Sequence, residues 1–165
     1  MKATTVICTI FISIFIFTNI QAQETKVLTE EQNNEWINSL MVADLQESLD
    51  IIKQRIQADS DVFYISTRNP HGKDRVEQGY HEQSYCRPLY VFFSEGKKPV
   101  FIKPNPDNAM VNKLQKFLKP GNIAEVEIEN GTRALAIYGS RASCGVIKMQ
   151  IRDEKDYTRL EDLLK

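Results

Sequence analysis

The sequence predicts a small α+β domain: a mixed β-sheet packed with one long helix and one or two short ones. Three observations carry this. Apolar residues recur at helical spacing between Thr29 and Gln57. Ala124, Val126 and Ile128 alternate with Glu125, Glu127 and Glu129, the period of a half-buried strand. Pro88-Leu89-Tyr90-Val91-Phe92-Phe93 is apolar on both faces, as in a strand covered on both sides. Hydrophobic residues at 42% and charged residues at 26% are ordinary globular values. With 21 basic and 22 acidic side chains there is no basic stripe, which argues against a nucleic-acid partner.

The chain opens as a signal peptide over residues 1–22. Lys2 supplies a basic start, an uncharged apolar run follows from Val6 to Phe17, and Ala22 offers a small residue at a cleavage point. An uncleaved anchor is the alternative, because the run approaches the length of a membrane span. Cys8 sits inside the apolar run rather than at its far end, where a lipidated cysteine belongs. Cleavage removes Cys8 and leaves Cys86 and Cys144, in a compartment where disulfides persist. No membrane span is expected after cleavage.

Residues 23–87 are expected to hold a flexible start, the long helix, a candidate strand and a long loop. Thr29-Glu30-Glu31-Gln32 fits a capping box that opens the helix. Its inner stripe is Ile37, Met41, Leu45, Leu49, Ile52 and Ile56, widened by Trp36, Leu40 and Val42. Asp61 to Thr67 is rich in β-formers, and Arg68 to Arg87, with Asn69-Pro70 and His71-Gly72, reads as a loop. After the Pro88–Phe93 strand, Ser94 to Lys98 is a turn, and Pro99 to Ile102 is the expected hairpin partner.

Asp107-Asn108 can cap a second helix over Ala109–Leu118, which Pro120-Gly121 stops. The alternating strand comes next, then a small-residue segment from Arg133 to Tyr138. A last strand, Val146–Ile151, turns Ile147, Met149 and Ile151 to one side. Residues 154–165 are expected to be a tail or short helix.

The stretch Ile123 to Ile147, which contains Ala134-Leu135-Ala136-Ile137-Tyr138-Gly139 and Gly145-Val146-Ile147, resembles the plug domain of TonB-dependent outer-membrane receptors. Pro88-Leu89-Tyr90-Val91 with Lys98-Pro99-Val100 resembles the plug's first strand and hairpin, so the resemblance spans residues 88–153. It implies a plug-like fold with Tyr138, Gly139 and Gly145 as structural motif residues. Small Ala134 and Ala136 let a short helix approach the sheet, Gly139 supplies a left-handed stop, and Gly145 a tight entry to the last strand. Tyr138 is expected to bury its ring and bond its hydroxyl at a layer edge. The chain departs from the family at Ser94-Glu95-Gly96-Lys97, where an Asp-Gly or Asn-Gly turn is usual, and at Cys144. The few residues after Ile151 leave no expectation of a transmembrane barrel. Glu24 to Leu28 faintly resembles the box by which receptors contact TonB.

Cys86 precedes the first plug-like strand and Cys144 the last. If those strands are parallel neighbours the two thiols share one end of the sheet, and a disulfide there closes a long loop; two unpaired thiols are the alternative. His71, His81, Glu82 and Cys86 match no closed zinc spacing. Gly139-Ser140-Arg141-Ala142-Ser143 is not a nucleophile elbow. No catalytic residue, metal or cofactor is therefore assigned. The function expected is that of an exported, non-enzymatic plug-like module that binds another cell-envelope protein or itself, at the periplasm or the periplasmic face of an outer membrane. The alternatives are a cysteine-dependent enzyme or thiol sensor using Cys144, with His81 as a conceivable base, and a soluble small-ligand-binding protein.

Overall fold

The computed structural model describes residues 29–60 and 86–165. The signal segment, the Glu24–Leu28 stretch, the Asp61–Thr67 strand and most of the long loop, with His71, His81 and Glu82, lie outside these residues. The described chain runs α1 (Glu30–Val42), α2 (Leu45–Ser60), β1 (Leu89–Phe93), β2 (Val100–Phe101), α3 (Asn108–Phe117), β3 (Ile123–Glu129), α4 (Gly131–Tyr138), β4 (Val146–Ile151) and α5 (Glu154–Leu164). A 3-10 turn, Gly139–Ala142, links α4 to β4. The fold is α+β, with one mixed sheet in the order β2-β1-β4-β3. β1 pairs with β4 in parallel, while β2 on β1 and β3 on β4 are antiparallel.

The expected helix from Thr29 to Gln57 is two helices. Thr29 caps α1 through the full capping box, as its sequence requires. The chain then turns extended at Ala43 (φ −78°, ψ 149°). Asp44 starts α2 afresh, its Oδ1 accepting from the Glu47 amide at 2.9 Å. Asp44-Leu45-Gln46-Glu47 is itself a start signal, placed where the apolar period runs on through it. The break also corrects the buried stripe. In one continuous helix Met41 would align with Ile37 and Leu45. Here Ile37 and Leu40 turn inward, while Met41 is 64% and Val42 87% exposed.

The four described strands and the second helix fall where the sequence placed them. Asp107 caps α3 by accepting from the Met110 amide at 2.7 Å, and Asp153 caps α5 by accepting from Asp156 at 2.9 Å. α5 thus forms where a tail or short helix was expected. Register with β4 fixes which side chains share a face: Tyr90 lies beside Ile147 and Phe92 beside Met149, with Ile128 and Val126 opposite the same two residues on β3. This face meets α2, α3 and α5 and holds the main core, including Leu49, Ile52, Ile56, Leu114, Phe117 and Leu160. The other face carries a smaller cluster, Val91 and Val146 against Ala134 of α4 and Ala142 of the 3-10 turn. β1 and β4 are thus covered on both sides, which explains why β1 lacks polar alternation.

An Asp44→Ala variant should lose about 1 kcal/mol of stability through the missing cap. Urea unfolding, read as a lower midpoint with unchanged slope, checks it.

Candidate functional site

Two places in the fold gather the chemistry: the β1–β4 end that holds the cysteines, and the open side of β3.

At the first, parallel pairing puts Leu89 beside Val146, so the residues just before each strand meet at one end of the sheet. Cys86 and Cys144 are joined there as a disulfide, with Cα atoms 5.4 Å apart and 58 residues of separation. The expected bridge is present, and it ties up the Cys144 sulfur. Asn33, buried in α1, donates from Nδ2 to the Cys144 carbonyl at 2.9 Å. Gly145 follows with φ +86°, and a Cβ there would stand 2.8 Å from Ile37 Cδ1. Both its backbone angle and its contact with α1 therefore require glycine.

A buried charge cluster backs Cys86. Arg55 donates from Nε to Asp59 at 2.7 Å and from Nη2 to the Cys86 carbonyl at 2.5 Å. Its guanidinium also lies over the Trp36 ring, 5.2 Å from the centroid. Asp59 further receives the Tyr90 hydroxyl at 3.4 Å and faces Arg87 Nε at 3.8 Å. Asp59 is only 2% exposed, so its charge depends on these cations. Sequence reading missed this cluster. The available signal was positional: Asn33 lies one turn before Ile37 and Asp59 one turn after Ile56, polar residues on an inward-facing line.

The motif residues divide. Gly139 has φ +64° and ψ −154°, a corner that other residues scarcely enter, so the need for glycine holds although the conformation is not the left-handed helical one. Ala134 is buried under α4 as expected, but Ala136 is exposed, because only one line of this short helix faces the sheet. Tyr138 packs its half-buried ring against the smaller cluster. Its hydroxyl makes no hydrogen bond among the described residues, a correction to the expected layer-edge bond. Leu135 at 45% and Ile137 at 59% are exposed on α4. Ser143 Oγ lies 3.9 Å from the bonded Cys144 sulfur. His81, the conceivable base, lies outside the described residues.

The second place is the open side of β3. The α1–α2 break leaves a groove of about 410 Å³ between the helix turn and the strand, lined by Leu40, Met41, Ala43, Leu45, Ser48, Ala124, Glu125, Val126 and Ile128. On the opposite side of the strand, Glu127 accepts from Lys148 Nζ at 2.5 Å and Glu129 pairs with Arg133 at 2.8 Å. The Glu127 bond raises the Lys148 amine above its ordinary 10.5. Glu125 is exposed. Among the described residues no cluster of three metal-ligating side chains occurs, and no helix is long and apolar enough to cross a membrane.

Replacing both cysteines by serine should cost up to about 4 kcal/mol, the chain-entropy value for a loop of this length. Urea unfolding measures it, and thiol titration of the denatured, unreduced chain should find Cys86 and Cys144 blocked. The Lys148–Glu127 pair sets a pH dependence. Because the lysine value is raised on folding, its contribution is complete below the ordinary lysine value and is lost as pH rises through the raised one. Glu127→Gln should therefore lower the urea midpoint at neutral pH, by no more than about 1 kcal/mol. The gap from the parent chain should close in strongly alkaline solution.

Comparisons with protein-family models, with curated proteins and with solved structures return no match to this chain.

Proposed function

We propose that the chain is an exported, non-enzymatic plug-like module that binds another protein of the cell envelope. The observation that supports this best is where its large apolar side chains remain exposed. Met41 and Val42 stand beside the β3 groove, and Leu135 and Ile137 lie on α4, while the two clusters within the fold are closed. Apolar residues grouped beside a groove are the usual mark of a docking surface. The scaffold beneath is rigid, because the disulfide and the buried Arg55–Asp59 pair pin α2 and both central strands together. A disulfide also fits an oxidising compartment, in keeping with the apolar leader read in the sequence.

The cysteine-enzyme reading is weakened by the bridge, since a thiolate at Cys144 exists only after reduction. A small apolar ligand is the second reading, favoured by the groove itself, whose volume lies within the range of ligand pockets.

A photo-crosslinking residue placed at position 42 or 137 in the producing cell should yield an adduct with one envelope protein. Absence of any adduct at both positions would sink the binding-module reading. A small molecule retained in the native mass spectrum, and lost when Leu45→Glu charges the groove, would favour the ligand instead.

A further inference from the structure

Among the described residues β3 ends the sheet, and its register pairs it with β4 alone. The opposite edge, β2, is a two-residue strand preceded by Pro99 and offers little to pair with. β3 has seven residues and no proline. Its irregularity lies between Ile123 and Glu125, so Glu125 to Glu129 run in regular register with β4. Along such an edge, alternate N–H and C=O groups point away from the sheet, the arrangement to which another strand adds.

The side chains around the edge state what that strand should carry. On one face, Val126 and Ile128 are half-buried and border the groove with Leu40, Met41 and Leu45. Inward side chains of an added strand would cover these apolar groups. Exposed Glu125 reaches the rim of the groove, and on the other face stand Glu127 and Glu129. Lys148 and Arg133 answer the latter two, and Glu125 has no cation beside it among the described residues. Lys148 reaches Glu127 from β4, and the Glu129 side chain is only 11% exposed against Arg133, so Glu125 is the carboxylate left for a newcomer.

A second copy is a poor occupant, because β3 against β3 would set carboxylates opposite carboxylates.

We propose that the β3 edge accepts an extended segment of the partner protein, in which apolar residues alternate with lysine or arginine. Its backbone completes the sheet beyond Glu125–Glu129, its apolar side chains close the groove at Met41 and Leu45, and its basic side chains meet Glu125 and the half-exposed Glu127. This rests on the binding-module reading above and specifies the partner's contact chemistry.

The probe is a synthetic peptide of alternating valine and lysine, about seven residues long to match a strand, titrated into the full-length oxidised chain. It should bind, and exchange of the outward-pointing amides within Glu125–Glu129, those not bonded to β4, should slow by about tenfold or more as they become paired. A valine–glutamate peptide and a fully N-methylated valine–lysine peptide should fail to bind. Glu125→Lys, an exposed change that leaves the fold intact, should weaken the basic peptide about fivefold, a typical cross-strand charge effect. Equal binding of the three peptides would overturn the proposal, as would binding without protection at β3. Slow exchange at these amides in the free chain would also overturn it, because the edge would then be filled already. A crosslinked partner at position 42 or 137 combined with a null peptide result rejects strand addition alone. Failure of both rejects the binding module as well.

Discussion

The parallel pairing of β1 with β4 is the constraint on which the rest of this structure depends. It joins segments more than fifty residues apart, with β2, α3, β3 and α4 all lying on the connection between them. Closing so long a loop is entropically expensive. The disulfide at the shared end of the two strands offsets that cost by restricting the unfolded chain. α1 reads the same end through Asn33 and the Cys144 carbonyl, and α2 through Arg55 and the Cys86 carbonyl. Both early helices are therefore anchored at the point where the two strands begin.

That pairing makes the sheet asymmetric. Its central strands are buried on both faces, but its two edges differ in kind. The β2 edge is short, and the turn before it is tied to α5 by the Lys97–Glu154 contact and by Tyr157 donating to the Lys98 carbonyl at 2.9 Å. The β3 edge is long and regular, and it borders a groove that exists only because the first helix breaks at Ala43. An open edge beside exposed apolar groups is a hazard that proteins normally mask. The glutamates of β3 place charge along that edge, one of the devices by which proteins mask an open strand.

Much of this was legible along the chain. The α+β class, β1, β3, β4 and α3 followed from period and caps, because each is decided by neighbours within a few residues. The buried face of β4, with Ile147, Met149 and Ile151, followed from the same period. The need for glycine at positions 139 and 145, where the backbone takes positive φ, came instead from the motif residues of the plug resemblance. The continuous first helix misread Asp44, whose capping role competes with an apolar period that persists on both sides of it. With that error went the exposure of Met41 and Val42 and the groove beside them, since a change of helix phase turns a whole stripe at once.

What the sequence by itself determined, then, were the local elements and the chemical character of their faces: an acidic row on one strand, small residues under a short helix, a cysteine before each of two apolar strands. Tertiary structure decided which strands are neighbours, and through that whether the cysteines meet, which edge stays open and what stands next to it. The reason is physical. Period and capping are set by contacts a turn or two apart, whereas strand order and register depend on contacts between distant segments, which only the packed core can select.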